Sequence, residues 1–299
     1  MRLIHLTDPH MSSLDGEKFS KLRGKRWSGY LSWRKNRRKR FLPAVLNKLT
    51  EAIKAENADQ ILLTGDLIQI GLENEITQAA GWLEQLGPAE QIMLVPGNHD
   101  IYAKGSADAV YRAWSPYLFN GDQADPVNAA DNFPVLRKMG KLSLIGLSTA
   151  CVTPVFMANG VAGKAQLDKL DGLLQQAANE GQLVCLLIHH PPLPEMTNRR
   201  KGLDDADALQ DVLAGHPPLL IFHGHLHHNR ELQWGDSRIY CTAAASSVSE
   251  SSYRVIDIED RDDCWAFRMA LKSVALDDRG ELEFAVVDEQ TWQIPKITI

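Results

Sequence analysis

Five short blocks carry side chains able to hold a metal ion, and each follows an apolar run. Asp8-Pro9-His10 follows residues 3–7, Gly65-Asp66 follows 61–64, and Gly97-Asn98-His99-Asp100 follows 92–95 by way of Pro96. Later, His189-His190-Pro191-Pro192 follows 184–188, and His223-Gly224-His225-Leu226-His227 follows 219–222. A solitary Asp behind a strand is more often a turn former or cap than a ligand, and a solitary His is more often a satisfied core or surface residue. Five such ends in succession argue for a site, because open α/β sheets gather ligand-binding groups where their strands finish. Carboxylates, a carboxamide and imidazoles with no thiolate suit a hard or borderline ion such as Mn, Fe or Zn. Asp8 with His10, and His225 with His227, stand two residues apart and so share a face of extended chain. Asp66 has two oxygens and can bridge two ions, while Asn98 is a neutral ligand that limits the negative charge facing a phosphate. Two ions about 3.5–4 Å apart would lower the pKa of a shared water and clamp the oxygens of an attacked phosphoryl group. Gly65, Gly97 and Gly224 lie beside these ligands, where a missing side chain permits a sharp turn and a close backbone approach.

The elements that must position these blocks follow from the apolar pattern. Runs at 2–7, 60–64, 91–95, 142–147, 183–188 and 219–222 predict strands, with helices predicted between them at 42–57, 73–86, 106–114, 164–179 and 204–213. Val45, Leu46, Leu49 and Ile53 recur at helical spacing, as a single buried stripe does. Beyond Asn229 the texture turns to β-rich pieces at 231–234, 238–241, 253–258, 264–269 and 283–287, predicting antiparallel strands that complete a sheet. Residues 119–132, rich in Asp, Asn, Gly and Ala, predict a surface loop. No composition break marks a boundary, so residues 1–299 are expected to form one domain. No apolar run approaches the roughly 20 residues that span a bilayer. The strand-like run at 2–7 begins too early for a cleavable signal sequence, so a cytoplasmic location is expected. The four cysteines, at 151, 185, 241 and 264, form no Cys-x-x-Cys pair and read as reduced, mostly buried small hydrophobes.

Taken together and in order, Asp8-x-His10, Gly65-Asp66, Gly97-Asn98-His99-Asp100, His189-x-Pro191 and Gly224-His225-x-His227 resemble the five signature blocks of the calcineurin-like metallophosphoesterases. The blocks span residues 8 to 227, about three quarters of the chain. The resemblance implies an α/β fold, a four-layer αββα sandwich of two mixed β-sheets flanked by helices. It also implies two divalent or mixed-valence metal ions (Mn, Fe or Zn), one held by Asp8, His10, Asp66 and His227 and the other by Asp66, Asn98, His189 and His225. His99 would contact the substrate or the leaving oxygen and serve as general acid, with Asp100 orienting it. His190 and His223 receive no ligand role. The implied reaction is hydrolysis of a phosphoester, a phosphodiester before others, by in-line attack of hydroxide generated at the metals. Among subfamilies the pattern looks most like bacterial phosphodiesterases acting on cyclic nucleotides or glycerophosphodiesters. One position departs: those enzymes commonly place an Asp three residues beyond the Gly-Asp carboxylate, and Gln69 stands there. An alternative of another class is a non-catalytic metal-binding interaction scaffold, against which the full ligand set and His99 argue.

The charge distribution adds a separate expectation. Residues 18–40 hold eleven basic side chains and no acidic one, within a chain whose formal net charge is −6. The remainder therefore carries 21 basic against 38 acidic residues, a net of −17. Trp27, Tyr30, Leu31 and Trp33 lie among those charges, and a helix over 28–40 would put aromatic and aliphatic groups on one side with basic groups flanking. That pattern predicts a segment overhanging the site mouth and resting on an anionic membrane surface. The segment resembles basic insertions of membrane-associated enzymes that cleave UDP-diacylglucosamine. The corresponding alternative function is a peripheral membrane pyrophosphatase acting on a nucleotide-linked lipid. The strongly acidic remainder argues against a nucleic-acid groove. A solvated charged helix with its tryptophans tucked against the domain is the plain structural alternative.

Overall fold

The computed structural model describes residues 1–11, 13–119 and 129–296. The chain opens with β1 (Arg2–Leu6) and reaches the basic segment, where α1 (Lys25–Ser32) runs through a π turn (Trp33–Arg37) into α2 (Arg38–Arg40). There follow α3 (Pro43–Ala55), β2 (Gln60–Leu63), α4 (Glu73–Leu86), β3 (Ile92–Leu94), α5 (Ser106–Ala113) and α6 (Ser115–Leu118). The second half holds β4 (Val135–Met139), β5 (Leu142–Leu147), α7 (Lys164–Asn179), β6 (Leu183–Ile188), α8 (Ala206–Gly215) and β7 (Leu220–His223). It ends with β8 (Arg230–Trp234), β9 (Ser237–Cys241), β10 (Ser252–Asp260), β11 (Cys264–Leu276) and β12 (Leu282–Pro295).

Two six-stranded mixed sheets result. One runs β12-β11-β10-β1-β2-β3 and the other β4-β5-β6-β7-β9-β8. β1, β2 and β3 are parallel, and β10 joins β1 antiparallel with Ile4 opposite Val255. In the second sheet β5, β6, β7 and β9 are parallel, with β4 and β8 antiparallel at the edges. Alternation along β6 separates the layers. Leu186 and Ile188 pack with Leu170 and Leu174 of α7 and Leu209 and Leu213 of α8. Cys185 and Leu187 face the other way, into a core shared with Leu3, Leu62 and Met93 of the first sheet. Leu46, Leu49 and Ile53 of α3 and Leu83 of α4 cover the first sheet's outer side. The molecule is thus a four-layer α/β sandwich of two mixed sheets flanked by helices.

Some boundaries differ from the sequence reading. β4 was not anticipated, because Val135-Leu136-Arg137-Lys138-Met139 has two charges in five residues. It is an edge strand with only Val135 buried, and edges tolerate charge. β11 and β12 run 13 and 14 residues, well past the expected 264–269 and 283–287. Most of β12 is exposed and lacks an apolar signal. Of the loop expected at 119–132, residues 120–128 lie outside the described residues, and Ala129–Asn132 form a 3-10 turn. The basic segment turns helical at Lys25, earlier than 28, and Trp27, Tyr30 and Trp33 form a row of neighbouring rings, 6.2 and 5.9 Å between centroids, that runs from the surface into the body. Trp33 is buried with Leu14, Leu22, Ile70, Leu72 and Tyr102, whereas Trp27 and Leu31 are exposed.

The loop that leaves β2 is held by carboxylates. Asp100 accepts backbone N–H bonds from Asp66 (2.8 Å), Leu67 (2.9 Å), Ile68 (3.3 Å) and Gly97 (2.8 Å). Glu75, in the first turn of α4, accepts from Gln69 (2.9 Å), Ile70 (3.2 Å) and Leu72 (2.9 Å). Both side chains are fully buried. Removing Glu75 would leave three donors without their acceptor, and Glu75→Ala is expected to lower the unfolding free energy by about 3 kcal/mol. Urea titration of the two proteins checks this, and a loss under about 1 kcal/mol would mean that water replaces the carboxylate.

Candidate metal centre

Strand ends from both sheets meet at one place. Behind β1, Asp8 N–H donates to the Gly65 carbonyl (2.9 Å) and His10 N–H to the Asp66 carbonyl (3.0 Å), zipping the first block to the second. Behind β7, His225 N–H donates to Asp8 Oδ2 (3.0 Å), and Gly224 N–H donates to the His189 carbonyl (3.1 Å). These contacts tie the fifth block to the first and the fourth. Asp8, His10, Asp66, His225 and His227 all have positive φ, between 40° and 68°. Non-glycine residues adopt that conformation rarely, and strained backbone of this kind clusters at functional sites. Gly97 and Gly224 permit the closest approaches. A Cβ on Gly97 would collide with the Asp66 carboxylate and the His189 ring, and one on Gly224 would collide with Thr7 and Asp8.

Two donor groups emerge. Asp8, His10, Asp66 and His227 form the first, with His227 Nε2 3.0 Å from Asp8 Oδ1 and 3.2 Å from His10 Nε2. His189, His190 and His225 form the second. Asp66 Oδ2 lies 3.8 Å from His10 Nε2 and 3.5 Å from His189 Nε2, so a single carboxylate oxygen faces both groups. Asn98 Oδ1 is 3.2 Å from His189 Nε2. All seven metal-ligand candidates therefore converge. The second group also takes in His190, whose ring lies 4.6 Å from that of His225 and whose Nδ1 is 2.8 Å from the Thr149 hydroxyl. His223 is buried alongside, its Nδ1 donating to the Gly224 carbonyl at 3.0 Å.

The donor chemistry fits cations. Nε2 of His190 and of His225 is buried with no hydrogen-bond partner among the described residues, an uncompensated lone pair or N–H that a metal would satisfy. Burial lowers His10 to about 4 and His190 to about 3, and it holds His225 well below the usual imidazole range. These rings are therefore neutral near pH 7, the form that ligates. Burial opposes charge on Asp66 too, yet His189 and His99 hold its carboxyl well below the usual carboxylate range. His189 is the counterpart: burial would lower it, but Asp66 raises it to about 9. A proton on His189 thus occupies the place a cation would take.

His99 stands at the edge of this cluster. Its backbone N–H donates to Asp66 Oδ1 (2.7 Å), and its ring stacks on Tyr102 with centroids 5.5 Å apart. The Gln69 carbonyl can only accept, so His99 Nδ1 carries a hydrogen toward it. Nε2 is left to accept from Arg37 Nη1 at 3.0 Å. Asp100, expected to orient His99, binds four backbone N–H groups instead and so positions Asp66, not the His99 ring. Gln69 places its carbonyl on His99 while its side-chain amide donates to the His10 carbonyl at 2.6 Å. Arg37, Glu75 and Tyr102 went unrecognised in the sequence. Arg37 was one of eleven clustered cations, and nothing in its spacing set it apart.

Residues 1–229 match the calcineurin-like phosphoesterase family. A probable cyclic nucleotide phosphodiesterase of Vesicomyosocius okutanii is 26% identical over 205 residues, covering 67% of this chain and 76% of that protein. A second, from Synechococcus sp., is 26% identical over 179 residues, 58% of this chain and 60% of that one. Among solved structures, a dimetal phosphatase from Danio rerio superposes with a TM-score of 0.60 at 14% identity, covering 97% of this chain and 98% of that chain. A purple acid phosphatase from yellow lupin gives 0.58 at 13% identity, covering 97% of this chain and 53% of that chain. The latter two establish a shared fold. With the family match extending through the last of the converging histidines, this chain belongs to the calcineurin-like phosphoesterases.

Proposed function

We propose that the protein is a dinuclear metal-dependent hydrolase of a disubstituted phosphate. The observation that carries this reading is the shared Asp66 oxygen, facing His10 in one donor group and His189 in the other. Asp8, His10, Asp66 and His227 would hold one cation, and Asp66, Asn98, His189 and His225 the second, with His190 beside it. Two such cations supply an acidified water and neutralise charge on phosphoryl oxygens. The chain's own groups do the rest. Asp100 fixes the backbone that presents Asp66, and the Asp66 carboxylate in turn accepts the His99 backbone N–H. The His99–Arg37 pair then presents its hydrogen-bonding edge beside Asn98, where it can stabilise charge developing on the departing oxygen. The preference for a diester is supported by the two relatives described as probable cyclic nucleotide phosphodiesterases.

Hydrolysis of bis(p-nitrophenyl) phosphate by Mn-, Fe- or Zn-loaded protein tests the reading, and absence of turnover with all three would favour a metal-binding scaffold. His99→Ala is expected to lower kcat by about 100-fold while metal content stays near that of the wild type. Asp66→Ala should lose metal and activity together. Metal analysis alongside steady-state kinetics separates the two, and an unchanged kcat in the His99 variant would remove that residue from catalysis.

Asp66 raises His189 to about 9, so metal uptake at pH 7 is expected to displace a proton from that ring. Titration of apoprotein with Mn at pH 7 is expected to release about one proton from this site, with affinity rising as pH approaches 9. His10 and His190, already neutral, release none. Calorimetry in two buffers of different ionisation enthalpy reads the proton count, and identical apparent enthalpies would refute it.

A second reading concerns location. We propose that the basic segment rests on an anionic membrane surface, supported by the exposure of Trp27 and Leu31 beside Arg23, Arg34, Lys35, Arg38, Lys39 and Arg40. No helix among the described residues is long and apolar enough to cross a membrane. Arg37 turns inward and takes no part in this surface. Flotation with anionic vesicles should recover the wild type and lose the Arg38→Gln, Lys39→Gln, Arg40→Gln triple variant, and equal recovery of both would sink the electrostatic part.

A further inference from the structure

The basic segment closes on a residue that reaches the first donor group. Phe41, which follows α2, is buried, and its ring stacks on that of His10 with centroids 4.7 Å and planes 27° apart. It also meets His227 edge to face, at 5.6 Å and 75°. His10 and His227 touch each other as well, with centroids 5.0 Å apart. The three rings form one packed cluster in which two members are ligand candidates and the third offers only carbon. Phe41 pairs with Ser247 in an antiparallel bridge, closed by Leu42 N–H to the Ser246 carbonyl (3.0 Å) and Val248 N–H to the Arg40 carbonyl (3.0 Å). The same loop is tied to the chain beside Asp8, where Ala245 N–H donates to the Thr7 carbonyl at 2.9 Å.

The Ile68 carbonyl accepts from His10 Nδ1 at 3.1 Å, so the lone pair stands on Nε2, which faces His227 Nε2 at 3.2 Å. One hydrogen bond fixes the tautomer yet lets the ring rock about it, and a flat neighbour against its face removes that freedom. The contact is electrostatic too. A benzene face is electron-rich, and an imidazole that gives its lone pair to a cation becomes positive, so the stack is more favourable with an ion bound than without one. His227 is the partly exposed member of its group and depends on such a neighbour for its orientation. The second donor group is built differently: His189, His190 and His225 pack on one another, with centroids 4.6 to 5.2 Å apart.

Resting on the dinuclear reading above, we infer that Phe41 is a positioning residue for the first ion. Its ring holds His10 and His227 in the orientation that ligates and favours the charge they take up, and the second ion does not depend on it. Phe41 makes no bond to a metal, so its effect passes entirely through the two imidazoles. Filling the space is not sufficient for this role. Leucine is apolar and occupies much of the same volume, but it has no flat, electron-rich face to set against His10.

The test reads Mn binding to the metal-free chain by calorimetry, one donor group at a time. His225→Ala leaves the first group whole, and adding Phe41→Leu to it should weaken Mn binding by about tenfold, whereas Phe41→Tyr, which keeps the ring, should stay within about twofold. His227→Ala leaves the second group whole, and there Phe41→Leu should change Mn affinity by less than about twofold. Phe41→Met, apolar and of similar volume, takes the place of the leucine variant if urea titration shows that variant to be misfolded. Leucine binding as tightly as phenylalanine in the first background, tyrosine losing as much as leucine, or equal losses in both backgrounds would overturn the inference. Electron paramagnetic resonance of the otherwise wild-type chain reports separately on whether two Mn ions couple. If no coupled pair forms but the tenfold, ring-dependent loss is present in the first background, the role of Phe41 stands and the dinuclear reading falls.

Discussion

The site depends on a short stretch of backbone whose donors face inward. Once β2 ends, residues 66–70 and 72 turn their N–H groups away from any ladder, and unpaired donors at such depth are costly. Two buried carboxylates from elsewhere in the chain absorb them. Asp100 takes Asp66, Leu67 and Ile68, together with Gly97 from its own loop, and Glu75 takes Gln69, Ile70 and Leu72. The oxygen shared by the two donor groups is therefore located by hydrogen bonds that involve no metal at all. Preorganisation of this kind lets ligands wait in place without reorganising when a cation arrives.

A second constraint is that the two sheets contribute unequal parts and must be joined where they meet. β1, β2 and β3 bring Asp8, His10, Asp66 and Asn98, whereas β6 and β7 bring His189, His225 and His227. The bond from His225 N–H to Asp8 Oδ2 crosses between them, and Asp8 is fixed again by the Thr7 hydroxyl at 2.8 Å. Holding five ligands at positive φ is unfavourable by itself, and it persists because neighbouring strand ends, hydrogen-bonded to one another, leave the chain no relaxed alternative.

What the sequence disclosed and what it hid divide along physical lines. The β1, β2 and β6 strands and the α3, α4 and α7 helices were legible because an apolar face must repeat at period two or 3.6, and that repetition survives in composition. The seven ligand candidates were legible because each sits at the end of such a run. Asp100 was given the orienting of His99 by the family resemblance. Three of its four backbone donors lie more than thirty residues away, and no periodicity announces them. β12 escaped because an exposed strand has no face to pattern, and β4 because two charges interrupt it. Arg37 was hidden by its company, since a run of cations gives no sign of which one turns inward.

That inward turn gives the basic segment two independent surfaces. On α1, Lys25, Ser28 and Ser32 line a cavity beside Asn98 and His99 and lie within about 60° of one another around the helix axis, with Trp27 about 100–160° and Leu31 about 60–120° away at a 100° step per residue. Trp33 and its buried neighbours hold this helix to the body through Ile70 and Leu72, the same loop whose donors Glu75 satisfies. The wall of the cavity and the backbone that presents Asp66 are thus one connected piece of structure. Arg37 Nη2 donates to the Gly29 carbonyl of α1, so a displacement of α1 would carry Arg37 away from His99. Arg37, counted at first as part of a surface patch, joins the two instead, donating to the His99 ring on one side and to the Gly29 carbonyl of α1 on the other.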